Sequence, residues 1–109
     1  MAALSIQSVA AAGLTPSYSV AAAGGDTFVN DGKTFLHVKN ANVGATRTVT
    51  INSRVACNQG YDHDYAVVVP ASGEKMIGTF DTTRFNDSSG SASITYSSEA
   101  DVTIAALKI

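Results

Sequence analysis

The chain of 109 residues has one cysteine, two prolines and no tryptophan, and only 15% of its residues are charged. With Cys57 alone, no disulfide can form within the chain, so stability must come from packing or assembly and synthesis in a reducing compartment is expected. The seven Lys and Arg are scattered without a run and the formal charge is −2, which leaves no cationic footprint for phosphate and argues against nucleic acid as a partner. No apolar run approaches the roughly 20 residues of a spanning helix, so no membrane partner is expected. The apolar start, Met1 to Gly13, has no Lys or Arg before it and is broken by Ser5, Gln7 and Ser8, which is not the pattern of a secretory signal.

Ala, Ser, Thr and Val fill the space the charges leave. Globular chains usually carry about a quarter charged residues, so this surface is weakly hydrated and easily buried against neighbours. The length fits one domain that buries roughly two-thirds of its unfolded surface.

Residues 1–23 have Ala runs at both ends, Gly13 and Pro16 between them, and apolar residues at mixed spacing. Leu4 with Ile6 and Tyr18 with Val20 alternate as short strands do, so the segment reads as an extended N-terminal arm. Such an arm frays unless something holds it. Residues 24–109 read as the domain proper. Asp26-Thr-Phe-Val and Thr34-Phe-Leu-His-Val-Lys flank Asn30-Asp-Gly-Lys33, and Asp-Gly predicts a tight hairpin. In Thr46-Arg-Thr-Val-Thr-Ile, Arg47, Val49 and Ile51 share one face and the threonines the other. Tyr65-Ala-Val-Val-Val reads as a strand buried on both faces. Lys75 to Phe80 is a further strand, Asp81 to Phe85 a turn or one helical turn, and Ala92, Ile94 and Tyr96 alternate with Ser93, Thr95 and Ser97. Val102 to Ile109 is the last strand. About eight strands with turns every 8 to 12 residues or so predict an all-β, single-domain β-sandwich or jelly-roll-like fold.

Chemistry is sparse. Cys57, Asp62, His63 and Asp64 are metal-ligand types, but their spacing fits no zinc pattern and adjacent residues of an extended chain point opposite ways, so a polar loop is the better reading. No G-x-S-x-G occurs, His37 reads as a strand-face residue with one hydrogen bond, and Gly24-Gly25 lacks the Lys of a phosphate loop. Glu74 and Glu99 have no carboxylate partner at a catalytic spacing. No enzyme activity, metal or cofactor is therefore expected. Tyr18, Tyr61, Tyr65 and Tyr96 offer faces for a sugar, though tyrosine on a strand more often packs.

The run Gly24-Gly-Asp-Thr-Phe-Val-Asn-Asp-Gly-Lys-Thr-Phe-Leu-His-Val-Lys-Asn40 resembles a signature of small tailed-phage head proteins. Val68-Val-Pro-Ala-Ser-Gly-Glu-Lys-Met-Ile-Gly-Thr-Phe80, with Ser72 for a glycine and Thr79 for a proline, extends it, as do Phe85-Asn-Asp87 and Ile94-Thr-Tyr-Ser97. The resemblance implies a decoration or auxiliary capsid protein. It would be made in the host cytoplasm and carried on the capsid exterior, bound to the major capsid protein and to copies of itself, by analogy as a homotrimer. A receptor- or glycan-binding fibre module and a tail or connector component are the alternatives. Because an extended arm can add to a sheet edge, Leu4, Ile6, Val9 and Leu14 are the expected contacts with another subunit, the other possibility being that they cap their own core.

Overall fold

The computed structural model describes residues 2–53, 64–78 and 80–108. In chain order the elements are β1 (Ala2–Ala3), β2 (Ile6–Ser8), β3 (Ser19–Val20), β4 (Asp26–Val29), β5 (Thr34–Asn40), β6 (Arg47–Ile51), β7 (Tyr65–Val69), β8 (Glu74–Ile77), α1 (Thr82–Phe85), β9 (Ser91–Tyr96) and β10 (Val102–Lys108). They form two packed sheets. The first has the order β1-β4-β9-β6-β7, and the second β2-β10-β5-β8, with β3 sharing the edge of β10 beside β2. All pairings are antiparallel except β1 with β4 and β2 with β10. The fold is an all-β, single-domain sandwich, as the strand count and turn spacing predict.

The alternation seen in sequence places the core. Phe28, Val49, Ile51, Val69 and Ile94 from the first sheet meet Leu36, Val38, Val102 and Ile104 from the second, each at most 1% exposed. Burying each such side chain contributes roughly 1.5–3 kcal/mol. At one end Phe80 lies 5.5 Å from Phe28 and 5.9 Å from Phe85, ring centre to ring centre. The single turn of α1 seats Phe85 there, and Asp81 caps it by accepting from the Thr83 N–H at 2.8 Å.

The predicted hairpin at residues 30–33 is instead an arch between the sheets. β4 already has β1 and β9 on its two edges, and β5 has β10 and β8, so neither has an edge left for the other. Gly32, at φ 88°, still makes the turn that Asp-Gly foretells. The side chain of Asn30 holds the arch from inside: it accepts from the Gly32 N–H and donates to the Phe80 carbonyl and to Asn86 Oδ1, while the Asn86 side chain donates back to the Asn30 carbonyl. Among the described strands, only β2–β3 and β6–β7 are consecutive within one sheet, so nearly every other connection crosses the sandwich.

Two further expectations are corrected. β7 is not buried on both faces, because it ends the first sheet: Tyr65 is 51% and Val68 50% exposed, and only Val69 is buried. The strand expected over Lys75 to Phe80 stops at Ile77, where Gly78 at φ 139° passes so close to Phe35 that a Cβ would lie 2.8 Å from that residue's own Cβ. The loop read at residues 54–63, with Cys57, Tyr61, Asp62 and His63, lies outside the described residues.

Candidate docking surface

The two outer faces of the sandwich are unlike. On the second sheet, Phe35, His37 and Lys39 of β5 alternate with core residues and point outward, as do their register partners Leu107, Ala105 and Thr103 of β10. Outward residues are normally wet, yet His37 is 7% exposed, Ala105 2% and Leu107 5%. Residues 9–18, which link β2 to β3, form a strap whose Tyr18 lies over this side. The Tyr18 ring packs edge-on against His37 at 5.4 Å, its hydroxyl shares a 2.7 Å hydrogen bond with His37 Nδ1, and Lys39 Nζ sits 4.1 Å from the ring centre. His37 thus makes the one side-chain hydrogen bond expected of it, to Tyr18, and its Nε2 faces Glu74 Oε1 at 3.5 Å on the other side. The ends of the strap are clipped together by Gln7, whose side-chain amide donates to the Ser17 carbonyl and accepts from the Ser17 N–H.

The arm is thus stitched to its own sandwich. β1 adds to the first sheet, β2 and β3 to the second, and Leu4 is buried in the core at 8% exposure with Ile6 packed against it. Leu14 is half-buried and Val9 is 49% exposed. The structure does not bring these four residues to one surface, and Leu4 and Ile6 cap their own core. Between β2 and β3 a slot of about 300 Å³ remains, lined by Leu4, Gln7, Ser17, Ser19, Ile104 and Ala105 among others.

The outer face of the first sheet is more open: Ala3, Val29, Ala66 and Val68 are exposed and Thr27, Thr48, Thr50 and Thr95 half-buried, while Ser93 is covered at 5% exposure. Register sets its side chains in rows: Ala66, Thr50 and Thr95 in one, Val68 and Thr48 beside it, and Ser93, Thr27 and Ala3 in the next. Val29 faces Ser91 beyond them. The Asn52 amide donates to Ser93 Oγ at 3.2 Å, and the Thr48 N–H to Ser97 Oγ at 2.9 Å, which ties the rows together. No strand residue on this face carries a formal charge. Small hydroxyl and methyl groups on a rigid sheet lose little side-chain entropy on burial and have no charge to desolvate, which is the physical profile of a surface that docks against another protein.

Buried polar groups serve the frame. Asp26 is fully buried and its Oδ2 accepts from the Tyr96 hydroxyl at 2.6 Å and the Ala22 N–H at 3.3 Å. Burial, then the bond to Asp26, pushes the Tyr96 phenol far above its ordinary range, so it stays a donor. Asn40 donates to the Ala45 and Pro70 carbonyls, pinning the loop after β7. A shallow depression of about 290 Å³ lies between Tyr65, Phe80, Asp81, Arg84 and Phe85. Among the described residues no three His, Cys, Asp or Glu gather to hold a metal ion, and no helix is long and apolar enough to cross a membrane.

Sequence reasoning gave the threonine face of β6 and the serine and threonine face of β9, but not their union. Their adjacency depends on β9 lying between β4 and β6, a pairing between strands distant in sequence. Compared with protein-family models, curated proteins and solved structures, the chain matches none.

Proposed function

We propose that the protein is a non-enzymatic structural component of a tailed-phage particle, decorating and stabilising the capsid by binding the shell of the major capsid protein. The observation that carries this reading is the uncharged Ser/Thr/Ala/Val outer face of the first sheet, set on a sandwich whose opposite face is already strapped. Such a subunit needs a stiff body and one broad surface with a low cost of desolvation. The residues behind the family resemblance support the reading through the fold: Asp26 and Asn30 are buried polar anchors, Phe28, Leu36 and Val38 are core, and Gly25 and Gly32 take positive φ angles.

The test is the copy number of the protein relative to the major capsid protein in purified particles, read by quantitative mass spectrometry. A number comparable to that of the major capsid protein is expected. A handful of copies per particle rejects decoration and favours a tail, connector or fibre role. A glycan-binding fibre module draws on one feature, the half-exposed Tyr65 at the lip of the depression beside Arg84, and predicts retention on immobilised oligosaccharides that is lost in Tyr65→Ala.

A further inference from the structure

β7 ends the first sheet, and among the described residues no strand pairs with its outer side. The register tells which main-chain groups point there. The Ser97 N–H donates to the Thr48 carbonyl and the Asn52 N–H to the Ser93 carbonyl, so the even-numbered residues of β6 turn toward β9. Arg47, Val49 and Ile51 therefore turn toward β7, where their partners are Val69, Val67 and Tyr65. Ala66 and Val68 are left with N–H and C=O directed away from the sheet, and both side chains are exposed.

Edges of natural sheets are guarded by charged residues, proline or bulges. β8, the open edge of the second sheet, carries Glu74 and Lys75. β7, Tyr-Ala-Val-Val-Val, carries no such guard along its length.

We infer that β7 is the strand through which a second copy of this chain adds to the sheet, antiparallel about a two-fold axis at Val67. Self-complementarity selects both the partner and the register. With Val67 opposite its own copy, Ala66 faces the partner's Val68 and Val68 the partner's Ala66, so each outward N–H meets an outward carbonyl. A pairing centred on Ala66 sets Asp64 against Val68, and one centred on Val68 sets Pro70, which has no N–H, against Ala66. A pairing centred between residues matches outward groups with inward ones. The chosen register also covers Tyr65 and Val68 and, among the described residues, brings no like charges together and merges two uncharged strand faces into one continuous surface.

A two-fold contact of this kind is closed, so it gives a dimer and not the trimer that the family resemblance implies. The inference deepens the decorating role and rests on it for its purpose, but its test needs no particle. Sedimentation of the full chain is expected to show a reversible dimer. Ala66→Pro removes an outward donor without touching the bonds to β6, and is expected to weaken dimerisation roughly tenfold or more with the circular dichroism unchanged. Val67→Cys, made in a Cys57→Ser background, is expected to give a disulfide-linked dimer on mild oxidation. A wild-type chain that sediments only as a monomer, an Ala66→Pro chain that dimerises as well as wild type, or a Val67→Cys chain that stays monomeric on oxidation overturns the proposal. Any of these outcomes leaves the copy number on the particle, and hence the decorating role, standing or falling separately.

Discussion

Single residues in this protein matter most where they resolve a conflict between burial and polarity. Asp26 is carried fully into the sandwich, and Tyr96 supplies the hydroxyl that satisfies one of its oxygens. Tyr96→Phe leaves that carboxylate oxygen with only the weaker Ala22 N–H, and is expected to lower stability by about 1.5–3 kcal/mol in a denaturant titration. Next to it Gly25 stands at φ 94°, where a Cβ would come 2.4 Å from the Ile94 carbonyl oxygen. Gly25→Ala is expected to cost more than the roughly 1 kcal/mol of an ordinary glycine replacement, because β4 must move off β9 to admit the methyl group. At the surface, the Lys108 ammonium and then the Lys33 N–H hold the Asp31 carboxyl down at about 2. Since its folded value lies below the ordinary 3.8, this pair supports the fold above that pH, and the support fades as the pH falls toward 2. Carboxyl chemical shifts across an acid titration should show the Asp31 midpoint rising in Lys108→Met.

Among elements, the arch between β4 and β5 shows what local sequence can and cannot say. Asp31-Gly32 announces a turn, and the turn is there. Whether a turn joins strands of one sheet or of two depends on which edges other segments have filled, and β1, β8, β9 and β10 are distant in sequence. Asn30 gives no local sign that its amide will bond Phe80 and Asn86 across the interior. Asn30→Ala is expected to cost about 2–4 kcal/mol by stranding those partners, measured as a shift of the denaturation midpoint. β7 was misleading for a different reason. An apolar run reads the same whether its second side meets its own domain or open space, so composition suggests burial where topology leaves an edge. The strap makes the opposite case, since its mixed apolar spacing fits no single period and it is held by single contacts such as Tyr18 on His37. Tyr18→Ala is expected to speed hydrogen exchange at residues 9–17 at least several-fold while leaving that of β5 and β6 unchanged, because Tyr18 holds the strap and the core holds the strands.

For the whole molecule, the decisive asymmetry is that Tyr18 of the chain's own strap packs on one broad face, while the described strand residues of the other carry no charge. The all-β sandwich was legible because β6 and β9 alternate cleanly and turn residues recur between the strands. The face was half legible, its residue types visible strand by strand but its extent fixed only by strand order. Adding charge there separates assembly from folding. Thr50→Lys lies outside the core and is expected to change stability by less than about 0.5 kcal/mol. If the face docks on the shell, the same change should greatly reduce the protein retained on capsids pelleted through a density cushion.

The pairing of Ile6 to Ser8 with Ala106 to Lys108 sets the second strand of the chain beside the last of the described strands. β10 also stands between β5 and the arm, so the second sheet lacks its central member until that strand has left the ribosome. A growing chain can form local pairs such as β6 with β7, but it cannot close the sandwich, seat Leu4 or tighten the strap while β10 is still in the exit tunnel. Completion of the fold therefore waits for β10, and a chain cut short before Val102 presents its apolar interior to proteases rather than its docking face to a partner.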